Sequence, residues 1–92
     1  MTTFLAECYV SASSRPDELA ALIRRSVEAA AGEGVQVRYV RSILVPGDET
    51  CFHVFEAASA EAVVAVGRFA ALPLVRVVEA VEPADKEEGC TR

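Results

Sequence analysis

Val37-Arg38-Tyr39-Val40-Arg41-Ser42-Ile43-Leu44-Val45, then Pro46-Gly47-Asp48-Glu49, then Thr50-Cys51-Phe52-His53-Val54-Phe55-Glu56 is the stretch that decides the fold. Residues 35–45 are rich in β-branched side chains and read as a strand. Pro46 to Glu49 carries the residue types of a turn. Residues 50–56 read as the next strand, so the two form a hairpin. On the N-terminal side, Gly32 and Gly34 close a helix. That helix starts at Ser14-Arg15-Pro16-Asp17, where Ser14 is placed to cap and Pro16 is tolerated in the first turn. Leu19, Leu22, Ile23, Val27 and Ala30 follow at helical spacing. Residues 4–10 precede it as a strand whose only charge is Glu7. On the C-terminal side, Ser59 starts a second helix with Val63, Val66 and Ala70 on its inner stripe, and Leu72-Pro73 stops it. Residues 74–82 read as the last strand.

The element order β-α-β-β-α-β is that of a split βαβ, ferredoxin-like sandwich of the α+β class. Right-handed crossovers leave room for one strand inside each βαβ unit, which predicts an antiparallel sheet of order 4-1-3-2 with two helices on one face. The domain spans residues 1–83, and the polar residues 84–92 read as a flexible tail.

Side-chain alternation then assigns the two faces. Phe4, Ala6, Cys8 and Val10 are uniformly apolar and are expected to face the helices, leaving Leu5, Glu7 and Tyr9 on the other side. In the third strand Phe52 and Val54 read as the core pair, which sends Cys51, His53 and Phe55 to the helix-free face. Tyr39, Arg41 and Ile43 are matched to that face as well. In the last strand Leu74, Val78 and Ala80 are expected to face the helices, with Arg76 a polar interruption, and Val75, Val77, Glu79 and Val81 to point outward. A helix-free face this apolar predicts an interface. Its natural cover is a second copy, giving a twofold homodimer, an α+β barrel whose interior encloses Glu7, Tyr9, Arg41, Cys51, His53 and Glu79.

Composition excludes several functions. The 92 residues are 52% apolar and 25% charged, which fits one small globular domain. The net charge of −5, without a basic stripe, argues against nucleic acid and anionic membranes as partners. Met1-Thr2-Thr3-Phe4 lacks the features of a signal peptide, and no apolar run approaches the ~20 residues of a membrane helix. Three widely spaced cysteines, Cys8, Cys51 and Cys90, fit reduced thiols in a cytoplasmic setting rather than a disulfide framework. Cys8 reads as core packing and Cys90 as a free thiol of the tail. Gly32-Glu33-Gly34 ends a helix and opens none, so it is no phosphate loop.

His53 is the single histidine and shares a face with Cys51. Imidazole suits nickel and zinc and titrates near neutral pH. Cys51 and His53 can converge on one ion, but one chain offers one imidazole, so a closed metal site needs carboxylates such as Glu7, or ligands from the second subunit. The candidate metal ligands are therefore His53, Glu7 and Cys51. A catalytic reading of the same groups pairs Glu7 and His53 as acid and base, with Arg41 or Tyr9 holding an oxyanion in a pocket on the helix-free face. The bland alternatives are a hydrogen-bonded interface histidine, an inert buried thiol and a Glu7–Arg41 ion pair.

Several segments together resemble domain-of-unknown-function family 4242. They are Val37-Arg38-Tyr39-Val40-Arg41-Ser42, Val45-Pro46, Cys51-Phe52 with Phe55-Glu56-Ala57, Ser59-Ala60-Glu61-Ala62-Val63, and Leu72-Pro73 with Arg76-Val77-Val78-Glu79. Glu7 and Leu19-Ala20-Ala21-Leu22 fit as well, and the likeness covers roughly residues 4–82. The resemblance implies a ferredoxin-like homodimer. Through a nickel-binding member it implies a small metal-binding protein with nickel as the ion; the sequence indicates no organic cofactor. The other reading is a small-molecule-binding protein or a cofactor-free enzyme of cyclase, isomerase or monooxygenase type, an inference from fold analogy alone.

Overall fold

The structure, a computed structural model, describes residues 1–11, 13–81 and 83. The chain runs β1 (Thr2–Tyr9), α1 (Pro16–Gly32), β2 (Val37–Val45), a short 3-10 turn (Pro46–Asp48), β3 (Thr50–Ala57), α2 (Ala60–Phe69) and β4 (Leu74–Glu79). It is a small α+β domain with a four-stranded antiparallel sheet and two helices. The strands lie in the order β2-β3-β1-β4, so β1 and β3 are central. The predicted tail 84–92, with Cys90, lies outside the described residues. No helix among the described residues is long and apolar enough to cross a membrane.

The helices carry apolar stripes that cover one face of the sheet. Ile23 and Ala30 of α1 and Val63 and Val66 of α2 pack with Phe4, Ala6, Val37, Phe55 and Ala57 in one buried cluster. Gly67 brings α2 close to β4, since a Cβ there would meet Leu74 Cδ1 at 2.6 Å. Gly34, at φ +88°, supplies the left-handed residue that turns the chain out of α1. Ser59 caps α2 as expected, accepting from the Ala62 N–H at 3.3 Å. Ser14 does not cap α1. The cap position is Arg15, which makes no side-chain capping bond, and the Ser14 N–H donates instead to the Ser11 carbonyl at 2.9 Å. Asp17 and Glu18 in the first turn complement the helix dipole.

The phase of β3 differs from the sequence reading. Phe4 opposes Phe55, Ala6 opposes His53 and Cys8 opposes Cys51 in the β1–β3 ladder. Directly opposed residues share a face, so Cys51, His53 and Phe55 lie under the helices and Phe52 lies on the helix-free side. The physical reason is the other end of the strand. Glu56 has the parity of Phe52 and Val54, and it pairs with Arg38 at 2.8 Å. Turning Phe52 inward would bury that carboxylate and expel Ala57, which is fully buried.

Two irregularities shift the edge strands. A bulge between Tyr39 and Arg41 puts Tyr39 opposite Phe55, against the core, and Ser42 opposite His53. Val77 lies opposite Ala6 and Arg76 opposite Glu7 on the helix-free face, and a register shift between Glu7 and Cys8 then sets Leu74 opposite Cys8. Val77 therefore packs inward and Val78 stands beside Leu5, the reverse of the alternation read from sequence.

Candidate metal centre

β1 and β3 bring Cys8, Cys51 and His53 together under the helices. All three are 0% exposed, and their sulfur and imidazole nitrogen atoms lie within 4.8 Å of one another. Ala6, directly across from His53, has only a methyl group and leaves room for the imidazole. The ring has a contact on each side. Nε2 is 3.4 Å from Cys8 Sγ. Nδ1 is 2.6 Å from Ser42 Oγ and 3.9 Å from Cys51 Sγ. Ser42 Oγ is in turn 2.5 Å from the Tyr39 hydroxyl. The rings of Phe55 and Tyr39 wall the site, Phe55 lying 6.3 Å from the imidazole and 5.8 Å from Tyr39 between centroids.

Burial sets the charge state of these groups. Desolvation lowers His53 from 6.5 to about 4, so the imidazole is neutral at pH 7. Desolvation is also the largest influence on Cys8, pushed up from 9.0 to about 11 with smaller contributions from Cys51 and Glu7. Cys51 is raised by burial against a hydrogen bond with Cys8 that lowers it. Without a cation the cluster is thus two neutral thiols and a neutral imidazole.

The predicted site residues separate. His53 and Cys51 do come together, but their third partner is Cys8, which reads from sequence as packing. Glu7 belongs to the opposite face, where it opposes Phe52 and pairs with Arg76 at 4.0 Å. It is therefore neither a ligand beside His53 nor its acid–base partner. Tyr9 is 66% exposed at the end of β1, opposite Thr50. Arg41 opposes Val54. The expected enclosure of His53 by a dimer is likewise corrected, since the helices already cover it. Ser42 and Tyr39 escaped the sequence reading as site residues because the bulge that turns them toward His53 has no sequence mark. Cys8 had one: it shares the uniformly apolar row Phe4, Ala6, Cys8 that must face the helices.

Hollows adjoin the sheet on both of its faces. A crevice of about 230 Å³ between α1 and β2 is lined by Leu19, Arg24, Tyr39, Arg41, Ser42 and Cys51, among others. The Arg24 guanidinium sits 5.6 Å over the Tyr39 ring at its side. On the helix-free face a hollow of about 330 Å³ is lined by Leu5, Glu7, Phe52, Arg76 and Val78, without His53, Tyr9 or Arg41.

No protein-family model and no curated protein matches the chain. Among solved structures it is similar to the protein SCO4226 of Streptomyces coelicolor A3(2), at 20% identity and a TM-score of 0.73. The match covers 89% of this chain and 99% of that one. At this identity the likeness is one of fold.

Proposed function

We propose that this protein binds a divalent transition-metal ion through Cys8, Cys51 and His53. The observation that carries the reading is the convergence of two thiols and an imidazole in a buried pocket. A tetrahedral ion with metal–sulfur bonds near 2.3 Å and metal–nitrogen bonds near 2.0 Å holds sulfur and nitrogen about 3.5 Å apart. Cys8 Sγ and His53 Nε2 are 3.4 Å apart. Charge favours a divalent ion: two thiolates, a neutral imidazole and a 2+ cation sum to zero, which a buried site tolerates. Ser42 accepts from Nδ1–H in that state and leaves Nε2 to the metal, the usual arrangement behind a histidine ligand.

Thiolate and imidazole suit zinc as well as nickel. The resemblance to family 4242 favours nickel, and with it a ferredoxin-like domain working in the cytoplasm, where thiols stay reduced. The same reading makes the protein a homodimer through its helix-free face, where Leu5, Phe52, Ile43 and Val78 surround the Glu7–Arg76 pair. Ile43 is 49% exposed there. In this dimer the metal lies beneath the helices of each protomer, away from the twofold contact.

Calorimetry with nickel and with zinc tests the function. One ion per chain is expected, with binding lost in Cys8→Ser and His53→Ala and retained in Glu7→Gln. Retention of tight binding in Cys8→Ser would sink the assignment.

A further inference from the structure

Cys8 and Cys51 hold a second chemistry besides metal ligation. They are directly opposed residues of neighbouring antiparallel strands. Such pairs have Cα atoms about 4.5–5.5 Å apart, inside the ~4.4–6.8 Å window that a disulfide spans. Their side chains leave the same face, so a bond between the sulfurs needs no movement of the backbone. The two sulfurs lie within 4.8 Å of each other. Both are 0% exposed, but they differ in what lies beside them. Cys51 lines the crevice between α1 and β2, whereas Cys8 is not among its lining residues. The crevice, at about 230 Å³, has the volume of about eight waters at ~30 Å³ each, which admits a small hydroperoxide.

We propose that Cys8 and Cys51 are a redox-active dithiol that a hydroperoxide closes to a cross-strand disulfide, with Cys51 attacked first and Cys8 resolving. The Cys51 sulfur attacks one peroxide oxygen, the O–O bond breaks, and Cys51 sulfenic acid and one water (or alcohol) result. The Cys8 sulfur then displaces the sulfenic hydroxyl as a second water and forms the S–S bond. The two thiols lose two electrons and two protons, and the peroxide is reduced. Because the disulfide removes two of the three ligands, oxidation expels the ion; this last step rests on the metal-binding function proposed above.

The test uses the metal-free, reduced full-length chain carrying Cys90→Ser, so that Cys8 and Cys51 are its only thiols. After treatment with hydrogen peroxide, intact mass is expected to fall by two hydrogens, peptide mapping to join Cys8 to Cys51, and a dithiol reductant to restore the starting mass. Adding Cys8→Ser is expected to strand the sulfenic acid on Cys51, where dimedone captures it; adding Cys51→Ser is expected to abolish capture. Oxygen addition without a cross-link overturns the pair, and equal capture on either cysteine overturns the order of attack. Since the cross-link is read without variants at Cys8 or Cys51, misfolding of a variant does not rescue the proposal. Zinc, which is itself redox-inert, is expected to protect the pair, and the oxidised chain to lose zinc uptake. A disulfide that forms in a protein that takes up no metal refutes the proposed function and leaves the dithiol standing. Metal uptake without disulfide formation does the reverse.

Discussion

Ser42 Oγ lies 2.6 Å from His53 Nδ1, and that hydrogen bond turns the other ring nitrogen toward Cys8. A serine on an edge strand thereby leaves Nε2 as the imidazole nitrogen that faces Cys8 Sγ. Ser42→Ala removes the contact, and a metal affinity weaker by about 10–100-fold is expected. The orphaned Nδ1 is expected to cost about 1–3 kcal/mol of stability. Ser42→Thr, which keeps the hydroxyl, is expected to recover most of the affinity. Calorimetry on the pair of variants measures both effects, and equal affinities of Ser42→Ala and the parent would remove Ser42 from the site.

Metal uptake is expected to release two protons per ion at pH 7. Both thiols are protonated there, Cys8 being pushed up to about 11 and Cys51 also raised, while His53 is already neutral. The apparent affinity then rises about a hundredfold per pH unit between roughly pH 7 and 8.5. Titrations in buffers of different ionisation heat count the protons. A count near zero would mean that the thiols are not the ligands.

Stability of the metal-free protein is expected to pass through a plateau in pH. Below pH 6.5 the unfolded chain binds a proton on His53 that the native chain refuses until about pH 4. Stability therefore falls as pH drops through that window, by on the order of 3 kcal/mol from this group at pH 4. Above pH 9 the unfolded Cys8 thiol ionises while the native one holds its proton to about pH 11, so stability falls again as pH rises. Urea melts from pH 4 to 10, set against His53→Gln, isolate the acid limb. An acid limb unchanged in His53→Gln would contradict a buried neutral imidazole.

The helix-free face and the metal centre are expected to separate by mutation. Phe52 lies opposite Glu7 on that face, half-buried. Phe52→Glu is expected to give a monomer by sedimentation, with metal stoichiometry unchanged. A dimer that survives this charge would place the twofold contact elsewhere.

The hairpin between two helical patterns carried the element order, and the apolar row Phe4, Ala6, Cys8 carried the phase of β1. The phase of β3 was legible too, through Glu56, whose parity with Phe52 and Val54 marks the face away from the helices. His53 obscured it, because a lone titratable ring looks out of place in a core. What makes it fit there, a serine across β2 and a thiol across β1, depends on strand pairing and not on neighbours in sequence. The bulges at Tyr39/Arg41 and Glu7/Cys8 left no residue signature, so the inward turns of Ser42 and Val77 were not readable.

X-ray absorption of the metal-loaded protein tests the central claim most directly. Two sulfur scatterers near 2.3 Å and one imidazole nitrogen near 2.0 Å are expected around the ion, with one sulfur lost in Cys8→Ser. A first shell of oxygen and nitrogen without sulfur would contradict the Cys8–Cys51–His53 centre.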